Sequence, residues 1–250
     1  MHPTHIWYQL DLHRRKIVSI FFFILLISFS QGWAQDTKWK TKYKSGDDDK
    51  LISYGFFLAA HSHSYRLRYS EAFLDTSNVF TRNQKAIMPR YATGFALGFI
   101  GNVRLHDQLD IRITPKISFY QYGIEVRYTD APSDEILIEN TKVEFPLLLK
   151  YKSIRRMNSR AYMIGGINPM IEGRKRDNIE VAPISTLTYD LALELGFGFD
   201  LYFEYFKFSP EIRYSHGLIN IFDQTTSNPE FATGIASMRS HTITLYLNFQ

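Results

Sequence analysis

The stretch TLTYDLALELGFGFDL, residues 186–201, decides the fold. Tyr189, Leu191, Leu193, Leu195, Phe197, Phe199 and Leu201 fall on one parity; Asp190, Ala192, Glu194, Gly196, Gly198 and Asp200 fall on the other. A two-residue period belongs to a β-strand, whose side chains point alternately to opposite faces. In a soluble sandwich the apolar face turns inward. In a membrane barrel it turns to lipid and the polar face lines the lumen. One strand leaves both open, although glycines and carboxylates suit a crowded interior better than a solvated surface.

The pattern recurs along the chain. Phe95, Leu97, Phe99, Val103 and Leu105 alternate with Ala96, Gly98, Asn102, Arg104 and His106. Leu109, Ile111, Ile113, Ile117 and Phe119 alternate with Asp110, Arg112, Thr114, Lys116, Ser118 and Tyr120. Similar segments centre on Leu147, Ile212 and Leu245, and less regular ones cover residues 54–69 and 160–172. Segments of roughly ten residues are long enough to cross a bilayer at a tilt. The expectation is an all-β fold: a transmembrane, antiparallel, up-and-down β-barrel of about eight strands.

The connections support it. Tight turns are expected at residues 106–108, after Leu201 and at 152–160; longer connections are expected at 70–92, 127–141, 173–185 and 217–238. Outer-membrane barrels sort their connections this way, with short periplasmic turns and long external loops. An even strand count then places both barrel ends in the periplasm. A soluble sandwich has no reason for such sorting.

Residues 1–34 have the layout of a secretory signal peptide. The basic cluster His13-Arg14-Arg15-Lys16 precedes the apolar run IVSIFFFILLISF, residues 17–29, and Gly32-Trp33-Ala34 offers small residues for cleavage before Gln35. Thirteen residues of helix cover about 20 Å, short of the roughly 30 Å hydrocarbon core. An uncleaved anchor is the alternative. The lead before the basic cluster is longer than usual, so the translation start could differ from Met1. Residues 35–50 are polar and read as a periplasmic tail; the barrel is expected over 51–250, in the cell outer membrane.

Composition agrees. The chain holds 20 Phe and 16 Tyr, yet mean hydropathy is slightly negative, as interleaved apolar and polar residues require. The net charge of +4 comes from basic residues scattered among acidic ones, which leaves no nucleic-acid footprint. There is no Cys, which excludes disulfides, thiolate metal sites and cysteine nucleophiles.

Candidate site residues form a lumen charge network: Arg104, Asp110, Arg112, Lys116, Glu144, Lys150, Asp190, Glu194, Lys207, Glu211 and Arg213. An eight-stranded barrel is just wide enough for side chains to fill it. The network therefore reads as a salt-bridged structural plug; a conducting pore lined by the same residues would need more strands. Tyr246 and Phe249 mark an alternating final strand with an aromatic near its end, like the signal that outer-membrane assembly machinery recognises. In this chain Phe249 is penultimate rather than terminal.

Other motifs weigh less. His61-Ser62-His63-Ser64 could suggest a metal pair or a Ser/His catalytic pair, but no G-x-S-x-G elbow is present. Gly94–Gly101 and Gly165-Gly166 suit close packing within strands. Asp47-Asp48-Asp49 lacks the ligand spacing of a calcium loop. Arg174-Lys175-Arg176 falls in an expected external loop, where it could touch lipopolysaccharide phosphates. No catalytic residue, metal or cofactor is expected.

VEFPLLLKY (residues 143–151) followed by AYMIGG (161–166) resembles the PorT-like outer-membrane barrel family of Bacteroidetes. So do YGFFL (54–58), GFALG (94–98) and LDIRITP (109–115). The resemblance implies a non-enzymatic component of the type IX secretion system, which exports cargo proteins and supports gliding motility in some members. It brings no catalytic residues. Implied partners are outer-membrane lipid and lipopolysaccharide, the assembly machinery and other type IX secretion components. The alternatives are a generic small barrel (structural, adhesive or a narrow porin) and an outer-membrane lipid-modifying enzyme.

Overall fold

A computed structural model describes residues 50–250 except 76, 80, 82, 130–131 and 174–183, together with 43 and 46. The expected signal peptide, nearly all of the expected tail with Asp47-Asp48-Asp49, and Arg174-Lys175-Arg176 lie outside the described residues. No helix among the described residues is long and apolar enough to cross a membrane.

Eight antiparallel strands close into a ring. They are β1 (Ile52–Tyr69), β2 (Gln84–Arg90) continuing into β3 (Ala92–His106), β4 (Leu109–Ile113) continuing into β5 (Lys116–Tyr128), and β6 (Asp134–Glu144) continuing into β7 (Leu147–Lys152). Then come β8 (Ser159–Glu172), β10 (Tyr189–Tyr202), β11 (Lys207–Gly217) and β13 (Ile235–Phe249). A two-residue pair, β9 (Ser185–Thr186) with β12 (Phe222–Asp223), and two four-residue helices, α1 (Glu71–Leu74) and α2 (Pro229–Ala232), occupy the loops. Each long strand pairs with its sequence neighbours, and β13 closes on β1 in the register Phe56↔Phe249 to Arg68↔Ser237. Closure removes every exposed edge, which a strand in hydrocarbon cannot leave unpaired.

Two strands are interrupted at proline. Pro115 separates β4 from β5, and Pro146 separates β6 from β7. Proline has no N–H to give the ladder. Its carbonyl still accepts: Phe99 N–H donates to Pro115 O at 3.0 Å and Thr114 N–H to Pro146 O at 3.2 Å.

Side-chain direction follows the sequence period. On β10, Leu193, Leu195, Phe197 and Phe199 are exposed on the outer wall, while Asp190, Glu194 and Asp200 are buried inside. Leu97, Phe99, Ile117, Leu147, Leu149, Ile212, Leu245 and Leu247 extend the same apolar belt. The tight turns stand where expected, after His106, Lys152 and Tyr202, at the end that also carries Ile52 and Phe249.

Two expected long loops are shorter. Residues 127–141 form a hairpin in which Val126 pairs with Asp134, and residues 84–90, within the expected loop 70–92, are strand β2 on β5. The strands run on past the lipid belt, and there the pattern inverts. Ile124 and Val126 point inward while Arg127, Lys85 and Arg90 point out. A search for lipid-facing alternation stops at that reversal. Inside this end lies an apolar cluster of Tyr65, Ile87, Tyr120, Ile124, Val126, Ile184, Ile221, Phe222, Ala232, Ile235 and Met238.

Candidate functional site: the lumen network

Within the belt β1 and β3 set a small apolar cluster of Phe57, Ala59, Ala96 and Ile100 against Tyr246, while most strands deliver polar side chains to one narrow interior. Glu211 sits near its middle. Arg112 Nη1 donates to Glu211 Oε2 at 2.8 Å, Arg213 Nε donates to Glu211 Oε1, and Tyr162 Oη donates to Glu211 Oε2 at 2.6 Å. Arg213 also reaches Glu194 at 3.2 Å. Lys116 lies 3.0 Å from Glu144 and 3.8 Å from Glu194, and donates to Tyr246 Oη at 2.6 Å. Asn168 donates to both Glu144 and Glu194, at 2.5 and 2.7 Å.

A second layer lies toward the short-turn end. Lys150 donates to both oxygens of Asp200 at 2.8 Å; Arg160 approaches Asp200 at 3.4 Å and Ser209 donates to it at 2.7 Å. Lys152 and Asp110 pair at 2.6 Å. Toward the long loops, Lys142 stands 4.0 Å from Asp190, which accepts from Ser240 at 2.7 Å. Aromatic faces complete the packing: Lys150 Nζ lies 3.7 Å from the Tyr162 ring centre, and the Arg213 guanidinium 4.1 Å from that of Tyr246.

Of the residues singled out from sequence, Asp110, Arg112, Lys116, Glu144, Lys150, Asp190, Glu194, Glu211 and Arg213 come together in these layers. Lys207 is buried at the short-turn mouth beside Asp110, Lys152 and Arg160. Arg104 lines the same mouth, and its side chain reaches Asp107 in the neighbouring turn, at 2.5 Å. That hydrogen bond holds the Asp107 carboxyl below the usual carboxylate range. Tyr246 points into the lumen, and Phe249 stacks on Phe56 across the closing seam with ring centres 5.3 Å apart.

Sequence reasoning missed Lys142, Lys152, Arg160, Asp200, Tyr120, Tyr162 and Asn168 as members. Parity alone would have found them, because each lies an even number of residues from an inward-facing charge or tyrosine on its own strand. The His61–Ser64 motif separates in space. His61 and His63 face the interior while Ser62 lies on the other face of the strand, and His63 Nδ1 is 2.7 Å from Thr242 Oγ1. No cluster of three metal-ligating side chains exists among the described residues.

Glycine makes room at two close approaches. A Cβ on Gly98 would lie 2.3 Å from Pro115 O, and one on Gly166 would lie 2.1 Å from Leu147 O. Both distances involve backbone, so neither site accepts a side chain without parting two strands.

The outer membrane protein beta-barrel domain family matches residues 33–223. The chain belongs to that family. It is an outer-membrane barrel. No curated protein sequence matches it. Among solved structures it is similar to the outer membrane protein OprG from Pseudomonas aeruginosa, at 14% identity over 78% of this chain and 94% of that one, with TM-score 0.45. Neisserial surface protein A gives 12% identity over 80% and 98%, with TM-score 0.40. The outer membrane protease OmpT from Escherichia coli gives 9% over 79% and 95%, with TM-score 0.42. Likeness at this level says nothing about what this outer-membrane barrel does.

Proposed function

We propose that this outer-membrane barrel is a non-conducting, non-enzymatic component of type IX protein secretion that acts through its external, periplasmic and lipid-facing surfaces. The burial of the lumen side chains carries the non-conducting part. Arg112, Arg213, Lys150 and Tyr246 have almost no contact with solvent, whereas groups lining an open pore would be wet. Buried charge of this kind is tolerated only when paired and hydrogen-bonded, so the network favours a structural plug. Planar-bilayer recordings should find no steady conductance, and a stable open level would overturn this part.

The stretches that resemble PorT-like proteins support the secretion role. Residues 143–151 and 161–166 lie against one another, with Lys150 opposite Ile164 and Leu148 opposite Gly166. Glu144 and Lys150 belong to the plug, and Gly166 permits the close strand approach. These positions serve barrel closure, which explains a pattern common to many small barrels. The secretion role therefore leans on residues 54–58, 94–98 and 109–115. Deleting the gene should abolish export of type IX cargo. Intact export would sink that role and leave a closed structural or adhesive barrel.

A further inference from the structure

The outer wall changes character along β1, β11 and β13 just past the lipid belt. Facing lipid are the cross-strand neighbours Leu58 with Leu247 and Ala60 with Leu245, then Ser62 with Ile243, and Tyr214 beside Ile243. The next level holds His241 beside His216, with Tyr91 Oη 3.1 Å from His241 Nε2. One step further, Arg66 and Arg239 stand directly opposite each other, and Arg68 follows opposite Ser237. Arg66, Arg68, His216, Ser237 and Arg239 line an external cleft of about 450 Å³.

Like charges directly opposite in a ladder repel unless a counter-charge lies between them. These strands supply none, because their single carboxylate is Glu211, which is buried in the lumen. The level of the cleft says which anion would meet these arginines. From Ile243 to Arg239 is four residues, about 13 Å along the strand and on the order of 10 Å along the membrane normal at the usual tilt. That height, just above the Tyr91 and Tyr214 rings, is the headgroup zone of the outer leaflet. Two arginines converging from adjacent strands offer planar forks that match phosphate oxygens. The apolar wall immediately below would accept acyl chains.

We propose that Arg66 and Arg239, flanked by Arg68 and His216, form a binding site for the phosphate of a phosphorylated lipid headgroup in the outer leaflet. The site does not depend on the secretion role. The test uses the full barrel, folded in detergent, with bis-phosphorylated lipid A, its dephosphorylated form and inorganic phosphate as separate probes. Lipid A should bind saturably. Arg66→Gln with Arg239→Gln should weaken it on the order of tenfold or more, and dephosphorylated lipid should bind the native protein as weakly. Arg66→Lys with Arg239→Lys, which keeps charge but loses the fork, should fall between and covers failure of the first variant to fold. Equal binding of the two lipid forms, unchanged binding in both double variants, or inorganic phosphate binding as tightly as lipid A would each overturn the proposal.

Discussion

One ring encloses two interiors of opposite chemistry. Within the lipid belt, β4, β8, β10 and β11 send carboxylates, guanidinium groups and lysines inward and leave leucine and phenylalanine outside. Past the belt, at the end away from the tight turns, β1, β2, β5 and β13 send Tyr65, Ile87, Ile124, Val126 and Met238 inward and leave arginine and lysine outside. Backbone geometry and ring closure are common to both. The difference lies in what surrounds the wall, because lipid rewards apolar surface outside and water rewards it inside. The upper end of this membrane protein is thus built like a soluble one.

That contrast fails if the two interiors respond alike to damage. The largest effect is expected for Glu211→Leu, which leaves Arg112 and Arg213 buried without their shared partner. Breaking one side of a buried pair costs about 3–5 kcal/mol. The variant should lose its heat-resistant compact form on a gel and unfold in one step at much lower denaturant. Stability within about 1 kcal/mol of the native protein, well under that range, would mean the network contributes little. Ile124→Ala removes buried volume from the external cluster and should cost about 2–3 kcal/mol, in the lower part of the range for such deletions. Its effect should stay local, with faster proteolysis of the external loops and an unchanged gel shift. Global unfolding in this variant would merge the two regions into one cooperative unit.

The smallest effect sharpens the boundary at the opposite end. The hydrogen bond from Arg104 lowers the Asp107 carboxyl in the folded protein, so the stability it contributes is complete above the ordinary carboxylate pKa. It fades as pH falls through the lowered value. An NMR titration should place the Asp107 midpoint below that of an exposed aspartate, and Arg104→Ala should return it to the ordinary position. An ordinary midpoint in the native protein would detach Arg104 from the turn.

Legibility in the sequence followed the lipid. Where the wall faces hydrocarbon, one parity had to be apolar, and residues 189–201 announced both the strand and its inward residues. Where the strands rise out of the membrane, Ile124 and Val126 switch roles with their neighbours. The two-residue period survives but its meaning reverses, and the hairpin at residues 127–141 looked like loop. Network membership was legible as parity, but pairing was not. Nothing local says that Arg112 on β4 meets Glu211 on β11, because ring closure sets that contact. Arg104, also of inward parity, reaches Asp107 in the turn beside it, a contact that parity does not announce.

The Arg112–Glu211 contact joins residues 99 positions apart in the chain. β4 and β11 stand on opposite sides of the ring, so the contact forms only once the sheet has curled. An open sheet pushed into hydrocarbon would carry each of these charges without its partner, at a cost of several kcal/mol per ion. Neutralising the lumen is thus tied to curvature: these charges meet their partners only in the rolled sheet.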